Sequence, residues 1–178
     1  VGYEYPQTSA GWYRKTFTIP AEDYGKHLWL EFDGIFRDAQ LWVNGFYLGH
    51  EPSGYATQVY DISEYLNYGG ENIVCVRADA TLEEGWFYEG AGIYRHVWLV
   101  KTELVSVDLY GVYVKPERTA EGWNLTVENT LRNDDYKEKS LTVVTDIIND
   151  GEVVLSMRGE TVLPRQEKCI VVFNGCVD

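Results

Sequence analysis

The stretch EEGWFYEGAGIYRHVWLV, Glu83 to Val100, concentrates the side chains best able to act on a ligand. Three carboxylates, Glu83, Glu84 and Glu89, stand beside three consecutive aromatics, Trp86, Phe87 and Tyr88, and Arg95 follows. Two carboxylates can cleave a glycosidic bond when they sit about 5–5.5 Å apart for retention or about 6.5–9.5 Å apart for inversion. With 28 Asp and Glu in the chain, however, a pair alone carries little weight, and loop carboxylates are ordinarily solvated surface. Carboxylates beside rings also suit sugar recognition, because a ring covers the apolar face of a pyranose while the acids accept from its hydroxyls. Successive residues of a strand point to opposite faces, so three consecutive aromatics do not all bury on one side. At least one ring is expected against solvent or a neighbouring surface, with the others plugging the end of a sandwich. Arg95 lies inside the alternating run IYRHVWL and is expected to be a structural anchor, buried or half-buried and paired by a salt bridge.

Other chemistries find no support. The three histidines, His27, His50 and His96, lie near no G-x-S-x-G elbow, and no cysteine is paired with a base in the sequence. No phosphate-binding motif is present: EGAGIY is glycine-rich but precedes a strand rather than a helix. The E-x-D-x-E run by which a single strand can carry three acids is absent. Cys75, Cys169 and Cys176 are widely spaced, form no CxxC or Cys/His cluster, and so indicate neither zinc nor another metal. Cys75, in ENIVCVRAD, reads as a buried strand thiol. No cofactor is expected. Net charge is −13; divided after Glu103, the first part holds 7 Lys and Arg against 15 Asp and Glu and the second 8 against 13. Neither part offers a basic footprint for nucleic acid or anionic lipid, and the acidity fits a neutral substrate. No apolar run approaches the ~20 residues that span a bilayer, so no membrane partner is expected. The chain opens at Val1 without Met, as a portion of a longer protein would.

The elements that must position these residues are strands. Period-two alternation dominates. In WYRKTFTIP, Tyr13, Phe17 and Ile19 share a face and Pro20 ends the run; in KHLWLEF, Leu28, Leu30 and Phe32 point to a core. Asn44-Gly45 and Asp150-Gly151 tolerate the positive φ of tight hairpins. Between them Asp61 is placed to cap a short helix with Glu64 as capping-box partner, stopped by Gly69-Gly70. IYRHVWLVK reads as one strand. Near residue 103 a fresh set begins, with Trp123, Leu125, Val127 and Leu131 on one face. Apolar content of 45% supports a real core. The fold expected is all-β, a larger sandwich over 1–102 and a smaller immunoglobulin-like one over 103–178.

Four segments in order, GWYRKTFTIP, LEFDGIFRDAQLWVNGFYLGHEPSGYATQVYDISEYL, GGENIVCVRAD and GWFYEGAGIYRHVWLV, resemble the N-terminal sugar-binding domain of glycoside hydrolase family 2, the β-galactosidase, β-glucuronidase and β-mannosidase family. The likeness runs from about Gly11 to Lys101, and the remainder resembles the immunoglobulin-like domain that follows in that family. The resemblance implies a jelly-roll sandwich, an immunoglobulin-like sandwich and then a TIM barrel bearing both catalytic glutamates. A barrel takes ~250 residues and this chain has 178. The chain is therefore expected to be a non-catalytic part of a larger retaining glycosidase, with the barrel domain and a β-glycoside as its partners and homo-oligomerisation compatible with that role. The loop before GAGIYRHVWL is implied to approach the barrel's active-site mouth, with Glu84, Trp86, Tyr88 and Glu89 lining it. In well-known β-galactosidases this loop supplies an aspartate that helps bind sugar and a sodium ion; Gly85 or Trp86 falls near that position here, so that aspartate has no counterpart at it. The resemblance also implies that the second sandwich leaves a strand edge unpaired. The alternative reading is a free-standing carbohydrate-binding module or lectin.

Overall fold

A computed structural model describes residues 9–81 and 90–177. The chain divides into two compact units, Val1–Thr102 and Glu103–Asp178, and both are built almost wholly of antiparallel strands.

The first unit is a β-sandwich. One sheet has the order β1 (Ala10–Ile19), β7 (Gly70–Asp79), β4 (Ala39–Val43), β5 (Phe46–Glu51); the other has β6 (Gln58–Asp61), β2 (His27–Phe32), β9 (Val97–Thr102). A short ladder joins β3 (Ile35–Phe36) to β8 (Gly92–Ile93). The core follows the alternation: Leu28, Leu30 and Phe32 from β2 meet Leu41, Val43, Val76 and Ala78 from the facing sheet, with Ile19, Ile35 and Ile62 filling the rim. Strand β2 is buried on both faces, since His27 and Trp29 are buried too. Among the described residues no helix is long and apolar enough to cross a membrane.

The tight turn at Asn44-Gly45 forms with positive φ at both residues, 50° and 87°, as its sequence requires. Asn44 does more than turn. Its Nδ2 donates to the Tyr65 carbonyl and to Asn72 Oδ1, both at 2.7 Å, and its Oδ1 accepts from the Ile73 amide at 2.9 Å. Asn72, fully buried, accepts from the Asn67 amide at 2.7 Å and donates back to its carbonyl at 3.1 Å. This polar plug closes one end of the sandwich without leaving a buried amide unmatched, the condition under which buried polar groups are tolerated.

Two sequence expectations change. Asp61 does not cap a helix: a single 3₁₀ turn forms over Ser63–Tyr65, its N-cap is Ile62, and no side chain caps it. Asp61 Oδ1 instead accepts from the Ser63 amide at 2.9 Å and the Ser63 hydroxyl at 2.8 Å, while Oδ2 meets His27 Nε2 at 2.7 Å. An aspartate that bonds its neighbours locally competes with a helix rather than starting one. The run IYRHVWLVK is likewise two strands, β8 and β9, broken at residues 94–96.

The second unit pairs β10 (Val105–Thr119), β11 (Gly122–Asn133) and β14 (Lys168–Val177) in one sheet and β12 (Lys139–Asn149) with β13 (Glu152–Leu163) in another. Among the described residues β14 pairs on one side only and β12 only with β13. Leu125, Val127, Leu131, Met157 and Leu163 form its interior. Fully buried Asn133 donates to the carbonyls of Lys137 and Pro164, each at 2.9 Å, and accepts from the Asp135 amide at 2.9 Å. Asn133→Ala strands those backbone groups and is expected to cost the second unit about 1–3 kcal/mol, seen as an earlier urea midpoint for probes in 103–178 than in the parent chain.

Candidate functional site

Glu84, Trp86, Tyr88 and Glu89, with Glu83 and Phe87, lie outside the described residues. The stems that hold this segment are described, and both are fixed at the end of the sandwich opposite the Asn44–Asn72 plug.

The incoming stem leaves β7 at Asp79. Its amide donates to the Arg37 carbonyl at 2.8 Å, and the next amide, of Ala80, donates to the Ser9 carbonyl at 3.2 Å. Asp79 Oδ1 accepts from the Thr81 hydroxyl at 2.7 Å and the Thr81 amide at 3.1 Å; Oδ2 is bonded by Arg77. The Thr81 hydroxyl, then its amide, and then the Arg77 guanidinium hold the Asp79 carboxyl below the usual carboxylate range, against an opposing effect of burial. Both oxygens are committed, so Asp79 acts as a clasp on the stem.

The outgoing stem runs through Gly92, whose φ is 98°. A side chain there would suffer both from that backbone conformation and from overlap with the Tyr13 hydroxyl. The Tyr94 hydroxyl donates to the Gly54 carbonyl at 2.9 Å, and its ring lies so close to Gly34 that a Cβ there would stand 2.8 Å from it. Gly54 in turn backs onto the buried Phe36 ring, which an added Cβ would overlap. Asp33 then gathers the residues beyond: its amide donates to the His96 carbonyl at 3.0 Å, Trp98 Nε1 donates to its Oδ2 at 3.2 Å, and His96 Nδ1 lies 3.6 Å from the same oxygen.

Arg95 is exposed, which corrects the burial inferred from its run. The break between β8 and β9 removes the alternation on which that inference stood. Its guanidinium lies 5.3 Å from the Tyr94 ring centroid and donates to the Asp33 carbonyl at 3.5 Å, with no carboxylate partner among the described residues. Cys75, read as buried, is half-buried on the outer face of its sheet. Of the aromatic partners here, the sequence pattern marks Tyr13 as facing the core, and it links neither Phe36 to Gly54 nor Tyr94 to Gly34.

Chemically this end is equipped to position a loop. Asp79 is held ionised, Asp38 is paired with His50 at 2.5 Å, and Asp33 serves Trp98. A general acid needs the opposite arrangement, a carboxyl held protonated by its surroundings. Among the described residues no three His, Cys, Asp or Glu side chains are grouped to hold a metal ion.

The first unit is an all-β sandwich whose described stems flank a carboxylate- and aromatic-rich segment of the sequence. Residues 4–103 match the model of the glycosyl hydrolases family 2 sugar binding domain, more than half of the chain. The chain belongs to glycoside hydrolase family 2. It is 37% identical over 139 residues to a β-galactosidase of Bacteroides ovatus, covering 77% of this chain and 16% of that protein. It is 32% identical over 180 residues to a β-glucuronidase of Formosa agariphila, covering 88% and 18% respectively. Among solved structures, a family 2 β-glucuronidase superposes with a TM-score of 0.88 at 28% identity, over 94% of this chain and 20% of its own. A family 2 member from Bacteroides cellulosilyticus superposes with a TM-score of 0.86 at 29% identity, over 93% and 23%. The chain thus spans about a fifth of the length of these relatives.

Gly54→Ala forces a methyl into the buried Phe36 ring and is expected to destabilise the first unit by about 1–3 kcal/mol, whereas exposed Arg95→Ala should stay within about 0.5 kcal/mol of the parent. Denaturant melts of the two variants check both. Asp23, Asp61 and Asp79 all titrate below the usual carboxylate range in the folded unit. Asp23 is lowered by hydrogen bonds from Lys101 and Lys26; at Asp61, burial pushes upward but is outweighed by Ser63 and His27. Their folded pKa values lie below the unfolded ones, so the stabilisation is complete above the unfolded range and is lost as pH falls below it and through the folded values. The melting temperature should hold between about pH 7 and 5 and drop below about pH 4, with part of that drop missing in Asp79→Asn.

Proposed function

We propose that this chain is the accessory part of a family 2 β-galactosidase. In this reading the first unit, 1–102, is a sugar-binding jelly roll and the second, 103–178, an immunoglobulin-like support. Hydrolysis of terminal β-glycosides takes place on a barrel domain outside the 178 residues, where two glutamates act by the retaining mechanism. The segment carrying Glu84, Trp86, Tyr88 and Glu89 lines the mouth of that site, its rings against the apolar face of the sugar and its acids accepting from hydroxyls. The match of residues 4–103 to the family's sugar binding domain carries the proposal. The clasped stems support it, because a loop that helps position a sugar must itself be positioned.

The choice of galactoside over glucuronide rests on charge. Glu83, Glu84 and Glu89 put three carboxylates within seven residues. A uronic acid brought to them adds a fourth like charge, and like charges at short range disfavour binding. A neutral galactoside brings only hydroxyl donors.

The test compares the chain with the full-length protein that bears it, on aryl β-galactosides and aryl β-glucuronides. The chain alone should turn over neither, and the full protein should prefer the galactoside. In the full protein, Trp86→Ala should raise KM by about tenfold with a smaller change in kcat, the signature of lost substrate binding. Turnover by the chain alone that vanishes in Glu84→Gln or Glu89→Gln would overturn the proposal. Tight galactoside binding by a chain that is never joined to a barrel would favour a lectin instead.

A further inference from the structure

The outer face of the sheet β1-β7-β4-β5 carries a line of rings that neither the core nor the loop site uses. Trp12 on β1, Trp42 on β4 and Tyr47 on β5 run across the strands, with successive ring centroids 5.4 Å apart in both steps. The end members are open to solvent, Trp12 by 64% and Tyr47 by 54%. Register explains how rings two strands apart meet. Cys75 on β7 lies directly between Arg14 and Trp42 in the ladder. Its small side chain leaves a trough over β7, across which the two indoles reach each other.

The neighbours of this line are polar. Trp12, Arg77, Gln40 and His50 form one row across the sheet, and Arg14, Cys75, Trp42 and Tyr47 the next. Arg77 is paired with Asp79, and His50 with Asp38 at 2.5 Å. The face therefore combines flat apolar area with hydrogen-bonding groups, two of whose charges are paired, on a chain of net charge −13.

We propose that this face binds a neutral oligosaccharide of pyranose units, laid across the strands with its apolar ring faces on Trp12, Trp42 and Tyr47. Gln40, Arg14 and His50 then serve the equatorial hydroxyls. Each feature selects that occupant. Polyanions are repelled by the acidic chain and meet no unpaired cluster of bases. The rings are tilted by 31° and 52° to one another, which makes a stepped platform suited to a single twisting glycan chain. Cross-strand aromatic pairs do stabilise sheets, but that role is filled as well by rings that keep their faces covered, and here the outermost two are not.

The experiment titrates the full chain with neutral galacto-, gluco- and xylo-oligosaccharides, from disaccharide to hexasaccharide, followed by tryptophan fluorescence and calorimetry. Saturable binding that tightens with chain length is expected. Trp12→Ala and Tyr47→Ala should each weaken it by roughly tenfold, the scale of one lost aromatic contact. Trp12→Phe, which keeps a flat ring, should retain most of the affinity. Melting temperatures of the exposed-ring variants should match the parent, so that loss of binding is not loss of fold. Absence of binding across the panel, or binding indifferent to Trp12 and Tyr47, would overturn the proposal. So would sedimentation showing a dimer that Trp12→Ala dissolves, which would make the face a contact between copies of this chain.

Discussion

Three aromatic rings rest directly on glycine backbone at one end of the first sandwich: Phe36 on Gly54, Tyr94 on Gly34, and the Tyr13 hydroxyl on Gly92. The arrangement of that end depends on three missing Cβ atoms. Rings are large and stiff, so where they meet backbone they define the separation of the segments that carry them. Through these contacts β1, the segment after β2, the segment after β5 and the segment after β8 are held in one cluster. The Tyr94 hydroxyl adds direction by donating to the Gly54 carbonyl. A loop hung between Asp79 and Gly92 then starts and finishes at points that packing has set. The opposite end uses different physics: Asn44 and Asn72 close it with matched amide hydrogen bonds, which tolerate small shifts less by bulk than by angle.

Positioning of this kind spends the polar groups it uses. A carboxylate that accepts two bonds from Thr81 and a third from Arg77 is held in place and kept ionised. The resolved carboxylate shifts all run downward, at Asp23, Asp61, Asp79, Glu117 and Asp135. Catalytic acids are made by burial and like-charge neighbours, which push upward. Membership of the family rests on its sugar binding domain, matched over residues 4–103.

Much of the architecture was legible in the sequence because it depends on local rules. Alternation located Leu28, Leu30 and Phe32, and Asn-Gly and Asp-Gly located two hairpins, since positive φ is a demand that few residues meet. The motif order was legible because it was spread over four segments. What stayed hidden was long-range. Asn72 and Asn133 look like loop residues until the strands that bury them are in place. Arg95 was read as a buried anchor because a single alternating strand was assumed; three residues of non-strand chain at 94–96 were enough to expose it. Asp61 carried a helix-start pattern, but its two oxygens found Ser63 and His27 nearer than a helix amide. The loop residues Glu84, Trp86, Tyr88 and Glu89 carry the right chemistry in the sequence, while their stems are set by partners such as Arg37, Ser9 and Tyr13 that no local pattern links to them.

The two outer faces of the first sandwich bear different burdens. On β2 the outward residues His27 and Trp29 are buried, the imidazole packed 5.0 Å from the indole and bonded to Asp61. On the facing sheet the outward Trp12 and Tyr47 are open, with Trp42 half-buried between them. Exposed tryptophan is an association hazard, and a solvent-facing strand position ordinarily holds Thr, Lys or Glu without loss of stability. The same face does place Arg14, Gln40, Arg77 and His50 in register with the rings, so polar residues are accommodated there. The line of rings is also flanked by the ion pairs Arg77–Asp79 and His50–Asp38. Alternating flat apolar area with hydrogen-bonding groups matches a pyranose, whose rings have apolar faces and a polar perimeter. The sheet that shapes the core with one face is, by that argument, free to recognise carbohydrate with the other.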